Sequence, residues 1–595
     1  MAKVLKEFKE PQMMEMMKDQ SKYDHVRITE NFNGEDVEVI FRKPSRDTNE
    51  YVDRDISGWG YYPPLNQRTY EEMGIICMQD VEVPLRDGTT IYVDIYRSKD
   101  DENKKVPAIV SWGFYGKRPG DIPKTWQVLG VPPKTISKMA KFESPDPAFW
   151  TRHGYAVVNV DCRGAGNSHG RLHSWGTQDG RDGYDVVEWL AEQDWCTGKV
   201  GLSGNSAVAM CQWFIAAERP PHLACIAPWE GSTDIYRQFA NKGGAPMVGF
   251  NEFVFRDVTG EAVEDHMEML KEHPLMDAYW EDKVAKLEKI RIPVYMTAGW
   301  SHQLHITGAF NAWQHVKSPK KWIRMHREFE WEDLVTPSSM KDLKEFFDRY
   351  LKEIHNGWEI TPAVRFELQD AYDHEYIKNR TENEFPIART QYEKLYLDAE
   401  SNELFEEPVA TASSLQYDAK TGYTYFDYEF KEDTELTGYF KAHIWVEAKD
   451  ADDLDLEVCV MKADANGDFV PTYVYHDWPY YGTAGNLRAS LRELDEEKST
   501  DFQPQYTFKT VQKLSPGEIV PLDIEINPTS KFYHKGEKLR VFLASWRAIG
   551  GIDIYERETL TEGTHVIHTG GEYDSYIQIP VVPPKYVAGD TIYRA

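Results

Sequence analysis

No two cysteines in this chain form a Cys-x-x-Cys pair. The six that occur (Cys77, Cys162, Cys196, Cys211, Cys225, Cys459) are scattered, several inside apolar stretches. That pattern excludes a disulfide framework and a structural zinc site and points to a reducing compartment. Apolar runs approaching the roughly 20 residues of a membrane span are also missing. The segment Met1-Ala-Lys-Val-Leu-Lys-Glu7 has none of the apolar core of a signal peptide. A cytoplasmic protein without a membrane partner is expected. Net positive charge is absent as well: the formal charge is −30 over 595 residues. Such acidity argues against nucleic acid and suits neutral or cationic small molecules. There is no internal repeat and no low-complexity tract. What the chain does have is aromatic side chains, 18 Trp and 34 Tyr, enough for large cores and apolar pockets. Its length allows roughly three or four domains.

Residues 1 to about 75 read as an irregular extension, with one short helix expected at Gln12–Lys18. From Cys77 the texture changes. Residues 79–88 and 90–96 alternate with period two around the turn Asp87-Gly88, the pattern of a hairpin. Apolar runs at 106–112, 154–161, 200–203, 222–229, 292–298 and 321–326 follow, separated by helical stretches such as 183–193. Apolar strands alternating with helices predict a parallel sheet covered on both faces, with ligands at the carboxyl ends of its strands. Two stretches, about 117–147 and 232–290, interrupt the alternation and read as cap insertions; 263–272 and 280–290 are expected helices there. A helix at 338–354 closes this α/β domain at about 360. From 361 to 595, alternating segments between turn signals (Asn466-Gly467, Pro516-Gly517, Lys535-Gly536) predict a β-sandwich.

The chemistry concentrates at Lys199-Val-Gly-Leu-Ser-Gly-Asn-Ser206, which runs straight into the apolar stretch Ala207–Ala217. A strand that stops at a Gly-containing turn and yields at once to a helix is how an α/β-hydrolase exposes a nucleophilic serine. Ser206 is the candidate nucleophile. Ser203 is a competitor, but it lies within the strand, and Val208 stands where Gly-x-Ser-x-Gly would have its last glycine. A serine needs a base within hydrogen-bond reach. His326 ends the last strand, and in this fold the histidine comes last in chain order; His302 and His305, from the preceding strand-end loop, are its rivals. The oxyanion would be held by the Ala207 N–H and by a donor from Gly113-Phe-Tyr-Gly-Lys117, with Tyr115 the candidate side chain. The loop Asp161–Gly170 has the wrong glycine spacing for a dinucleotide cradle and reads as a shaped loop beside the site. The pair His302-x-x-His305 is too isolated for a metal centre. Neither a cofactor nor a metal is expected.

These residues together resemble the cocaine esterase/NonD hydrolases and the wider Xaa-Pro dipeptidyl-peptidase family, which includes α-amino-acid ester hydrolases. The marks are Asp161-x-Arg-Gly-x-Gly-x-Ser-x-Gly170, the Gly204-Asn-Ser206 turn with Gln212-Trp213, Ala227-Pro-Trp-Glu-Gly-Ser-Thr-Asp-Ile-Tyr236, Phe346-Phe-Asp-Arg-Tyr-Leu351, Asn356-Gly-Trp358 and Gly563-Thr-His-Val-Ile-His568. The resemblance implies an α/β-hydrolase core with a helical cap and a C-terminal jelly roll. It also implies Ser206 as nucleophile, His326 as base and Tyr115 as oxyanion donor. Two departures stand out. Ala207 replaces the Tyr that often follows the nucleophile, which would widen the acyl site. His302 stands where the triad aspartate is expected, and no carboxylate lies between Gly299 and His315. Losing that charge can cost about 10⁴ in turnover. The acid is therefore sought elsewhere: first at Glu230, directly after the strand that follows the nucleophile helix, and next at Glu330 or Asp333.

The expected function is hydrolysis of a small-molecule carboxylic ester or activated amide through an acyl-enzyme. The alternatives are an Xaa-Pro dipeptidyl-peptidase or β-lactam-type acylase on the same site, and a catalytically silent hydrolase fold used for binding. A homo-oligomer is left open.

Overall fold

Eleven strands between residues 68 and 382 join into one sheet in the computed structural model of the protein, which describes residues 23–43, 62–118, 131–132, 134–255, 258–301, 303–374, 377–475, 478–545 and 561–584. In chain order they are β1 Arg68–Glu72, β2 Ile75–Pro84, β3 Thr90–Ser98, β4 Val106–Gly113, β5 Ala156–Asp161, β6 Cys196–Asn205, β7 Leu223–Trp229, β8 Val294–Gly299, β9 Lys321–His326, β10 Val364–Leu368 and β11 Ile377–Glu382. Across the sheet the order is β11-β10-β9-β8-β7-β6-β4-β5-β3-β2-β1. From β10 to β5 every neighbouring pair is parallel. Strands β4, β5, β7 and β8 are almost wholly apolar because helices cover both faces. The covering helices include α1 Thr177–Ala191, α2 Ser206–Ala217, α3 Ile306–His315, α4 Glu330–Val335 and α5 Pro337–Leu351. This is the α/β-hydrolase arrangement expected from the sequence, and it places the ends of β6, β7, β8 and β9 side by side.

Several expectations need correction. The N-terminal region is not simply irregular: His25–Phe32 and Glu35–Arg42 form an antiparallel hairpin. Asn33 and Gly34 make its turn, both at positive φ, a strong hairpin signal. Val37, Val39 and Phe41 bury its inner face, and Val263–Glu264 from the cap joins its edge as a third strand. The expected helix at Gln12–Lys18 lies outside the described residues. In the second cap, Val263–Glu264 are therefore strand, and the helix begins at His266 behind an Asp265 N-cap. The expected helix at 280–290 breaks up into Ala278–Asp282 and a short 3-10 turn, Leu287–Lys289. Residues after 361 do not turn at once into a separate domain. β10 and β11 extend the α/β sheet first, because Val364, Phe366 and Leu368 pack into its core.

The all-β region begins at Gln391. Its two longest strands, Thr434–Ala448 and Ile519–Tyr533, pair antiparallel along most of their length. It docks on the α/β unit through backbone bonds between Gln369 and both Ser530 (3.2 Å) and Phe532 (2.8 Å).

A buried charge cluster fixes the loop after β4. Lys117 Nζ lies 2.8 Å from Asp161 at the end of β5 and 3.0 Å from Asp80 in β2; all three are buried. Arg118 pairs with Asp94 at 2.8 Å. Removing one member of such a cluster leaves charge buried without compensation, at a cost of about 3–5 kcal/mol. Lys117→Met should therefore lower the thermal midpoint by several degrees in a melting experiment, and Lys117→Arg by much less. An unchanged midpoint for Lys117→Met would show that the cluster does not hold this loop.

Candidate active site

Ser206 sits where β6 gives way to α2, with φ at +52°, in a left-handed conformation that a non-glycine residue adopts only under constraint. The constraint comes from both sides. Its N–H donates to the carbonyl of Glu230 at 2.9 Å, and the N–H of Asn205 donates to the carbonyl of Glu143 at 3.1 Å. Gly204 has φ +150°, and a Cβ there would come within 2.2 Å of Val208 Cγ1, so no other residue fits. The start of α2 is pinned further by the Trp175 indole, which donates to the Ala207 carbonyl at 3.2 Å.

The imidazole within hydrogen-bond reach of this serine is that of His305, not that of His326. His305 Nε2 lies 2.9 Å from Ser206 Oγ, and the ring is buried. It leads into α3 from the loop after β8. His326, at the end of the neighbouring β9, is engaged elsewhere: Nδ1 lies 3.0 Å from the Glu328 carbonyl and Nε2 forms a 2.9 Å ion pair with Glu230. Burial opposes charge on this ring, but Asp333 and Glu230 raise its pKa to about 9. An imidazolium with both nitrogens occupied has no lone pair for a serine proton, so the ring expected from chain order is the one engaged away from Ser206.

Glu230 is consequently not a partner of the serine's histidine. Its side chain is tied to His326 while its carbonyl holds Ser206, and its own φ is +55°. Gly299 makes room for it: a Cβ there would approach Glu230 Oε2 to 2.8 Å. Asp333 is taken up by Arg324, at 2.8 and 2.6 Å, which together with His326 holds its pKa below the usual range despite burial. Of the carboxylates weighed as triad acid, Glu330 is the one that faces His305, at 3.8 Å from Nε2. Burial and the charges of Glu143 and Glu230 push its pKa well up. Because it approaches the nitrogen that faces the serine, it can stabilise an imidazolium but does not fix the tautomer. His302 lies outside the described residues.

Tyr115 is buried beside Phe142, with ring centroids 5.3 Å apart, and its phenol interacts electrostatically with Glu143 and Glu330. Glu143 carried no sequence signal. It is 1% exposed, has φ +56°, and its Oε1 accepts from the Trp331 indole at 3.1 Å. Its carboxyl faces the Ser206 hydroxyl and the Ala207 N–H.

The loop carrying His305 is held by the all-β region, another feature that local patterns do not reveal. Asn527 donates to Gln303 Oε1 and accepts from Thr307 Oγ1, both at 2.6 Å, and Gln303 Nε2 donates to the Gly482 carbonyl at 3.0 Å. Among the described residues one cluster has metal-ligand spacing, Asp370, His534 and Glu537. The fully buried Lys462 already lies 2.9 Å from Glu537 and contacts Asp370, so the cluster's cation is a side chain.

A serine on a strained strand-to-helix turn with an imidazole on its oxygen has the geometry that nucleophilic hydrolysis requires. Comparison with known proteins agrees. The model of the X-Pro dipeptidyl-peptidase (S15) family matches residues 87–267 and 252–328, and that of the X-Pro dipeptidyl-peptidase C-terminal non-catalytic domain matches 356–578. A crystal structure of a CocE/NonD family hydrolase from Staphylococcus aureus superposes with a TM-score of 0.80 at 36% identity, covering 85% of this chain and 94% of that one. The chain belongs to the CocE/NonD hydrolase family. Cocaine esterase from Rhodococcus is 32% identical over 167 residues, 28% of this chain. The matched stretches span between a quarter and a third of the curated relatives' lengths. An α-amino acid ester hydrolase shares the fold, with a TM-score of 0.60 at 15% identity.

The clasp on the His305 loop gives a test within this CocE/NonD hydrolase. Asn527→Ala removes both of its bonds to the loop. Small misplacements of a reacting group can cost up to about 10²-fold. The variant should lose about 10-fold or more in kcat on an ester, with KM shifted far less. A kcat within twofold of the wild type would mean that the all-β region does not position His305.

Proposed function

We propose that this hydrolase cleaves small carboxylic esters through an acyl-enzyme formed on Ser206. The supporting observation is the 2.9 Å contact between Ser206 Oγ and His305 Nε2 on a strained turn. Ser206 Oγ attacks the ester carbonyl as His305 Nε2 takes its proton, and the C=O electron pair moves onto oxygen. The Ala207 N–H and the Tyr115 hydroxyl are the proposed oxyanion donors. His305 then protonates the leaving alkoxide, and water, deprotonated by the same ring, releases the acid. Glu330 stabilises the imidazolium. Glu330 keeps its own proton, since burial and the charges of Glu143 and Glu230 push its pKa well up, and its carboxyl oxygen 3.8 Å from Nε2 faces the imidazolium as it forms.

A dipeptidyl-peptidase reading has one supporting observation, the match of residues 87–267 and 252–328 to the X-Pro dipeptidyl-peptidase (S15) family model. Ala207 beside the nucleophile leaves room for a wider acyl group. The six cysteines are all buried free thiols, which supports a reducing compartment such as the cytoplasm as the site of action.

The test is labelling by a fluorophosphonate followed by peptide mapping, run beside turnover of p-nitrophenyl acetate and an Ala-Pro anilide. Stoichiometric modification of Ser206 with turnover of the acetate is expected. Faster turnover of the anilide would move the assignment to the peptidase. No modification of Ser206 and no turnover would leave a silent scaffold.

A further inference from the structure

Glu143 has no place in a serine hydrolase built from a nucleophile, a base and backbone donors, yet it is fastened to the reacting centre. Its residue is set by three contacts. Its carbonyl accepts from Asn205 N, one residue before the nucleophile. The next residue, Ser144, bonds Ser111 in β4 at 2.6 Å. Its Oε1 accepts from Trp331. The left-handed backbone at +56° is strained and is tolerated because these contacts over-determine it. The other oxygen, Oε2, is buried and has no hydrogen-bond partner of normal geometry, while the carboxyl faces the Ser206 hydroxyl and the Ala207 N–H. A buried polar atom left without a hydrogen bond is destabilising. That cost is explained if the missing partner is the substrate.

We propose that Glu143, as a neutral carboxylic acid, is a third oxyanion donor that hydrogen-bonds the substrate carbonyl oxygen through Oε2–H. This assignment rests on the esterase reading above. Oε1 accepts from the indole, so the proton belongs on Oε2, which makes no hydrogen bond of normal geometry within the protein. During attack the Oγ–C bond forms, the C=O pair moves onto oxygen, and the serine proton goes to His305. Glu143 keeps its proton throughout and only points it at the new charge. An ionised Glu143 would instead repel the oxyanion.

The surroundings keep it neutral. Burial pushes its pKa up to about 8, against the Trp331, Ser206 and Ala207 contacts that favour its charge. The groups facing it are Glu330 and Trp331 from α4, Tyr115 from the loop after β4, Ser206 and Ala207 from α2, and Lys141 on its own strap. Lys141 is fully buried and lowered to about 8 by that burial, so it titrates in the same range and must be separated by experiment. The required form of Glu143 is the protonated one. Activity is therefore present below pH 8 and falls as pH rises through it.

The experiment measures kcat and KM against pH for p-nitrophenyl acetate with the wild type, Glu143→Gln and Glu143→Ala. The Gln amide still donates but does not titrate. Wild type should lose activity near pH 8. Glu143→Gln should turn over up to about tenfold more slowly at pH 7 and lack that alkaline limb. Glu143→Ala should lose about 10²-fold in kcat, the scale of one oxyanion donor. An alkaline limb that persists in Glu143→Gln would belong to Lys141 or another group and overturn the assignment. So would wild-type kcat in Glu143→Ala. If Glu143→Ala does not fold, the Gln profile decides alone. Wild-type protein that neither turns over the ester nor labels at Ser206 would overturn the esterase reading and this assignment with it, whereas normal wild-type turnover with an unaltered Gln profile overturns this assignment only.

Discussion

The bond from the Ser206 N–H to the Glu230 carbonyl is the constraint on which the site depends. Both residues have left-handed backbones, at +52° and +55°, and neither is glycine. Each such conformation costs of order 1–3 kcal/mol and persists only where its surroundings leave no alternative. Here the surroundings are three strand ends. Glu230 follows β7, Gly299 ends β8 and leaves space for its carboxylate, and His326 ends β9 and neutralises it. The Trp300 N–H donates to the His326 carbonyl at 2.8 Å, tying the last two together. His326 thus acts on the serine through Glu230, as part of the frame that bends the chain.

Around that frame the protein collects buried acid. Glu143, Glu230 and Glu330 are each at most 2% exposed, and Glu330 faces His305 while Glu230 pairs with His326. Three carboxylates cannot all be ionised in so small a dry volume. One takes its charge against an imidazolium, and the other two are pushed toward their neutral forms. That division produces an ion pair under the turn and two carboxyls with raised pKa values near the reacting atoms. A net charge of −30 on the whole chain has the same sign as this interior and disfavours anionic substrates.

The α/β sheet could be read from the sequence because its evidence is local: apolar runs of strand length, Asp87-Gly88 between β2 and β3, and a strand meeting a helix at Gly204-Asn-Ser206. Ser206 was visible for the same reason. His305 and His326 could not be told apart that way. Both follow adjacent parallel strands and emerge at the same end of the sheet. The loop path between them is set by Asn527 and Gly482, some two hundred residues further on. Glu143 was hidden because its position depends on an irregular strap with no period. The hairpin at 25–42 is different: Asn33-Gly34 between alternating apolar residues was a readable signal that composition obscured.

The central claim is that His305 takes the serine's proton while His326 only holds the turn. Comparing the rate of fluorophosphonate labelling at pH 7 in His305→Gln and His326→Gln tests it most directly. The account predicts that His305→Gln loses about 10³-fold or more. His326→Gln should keep measurable labelling and show its main loss in thermal stability. The opposite order, with His326→Gln silent and His305→Gln still reactive, would contradict it.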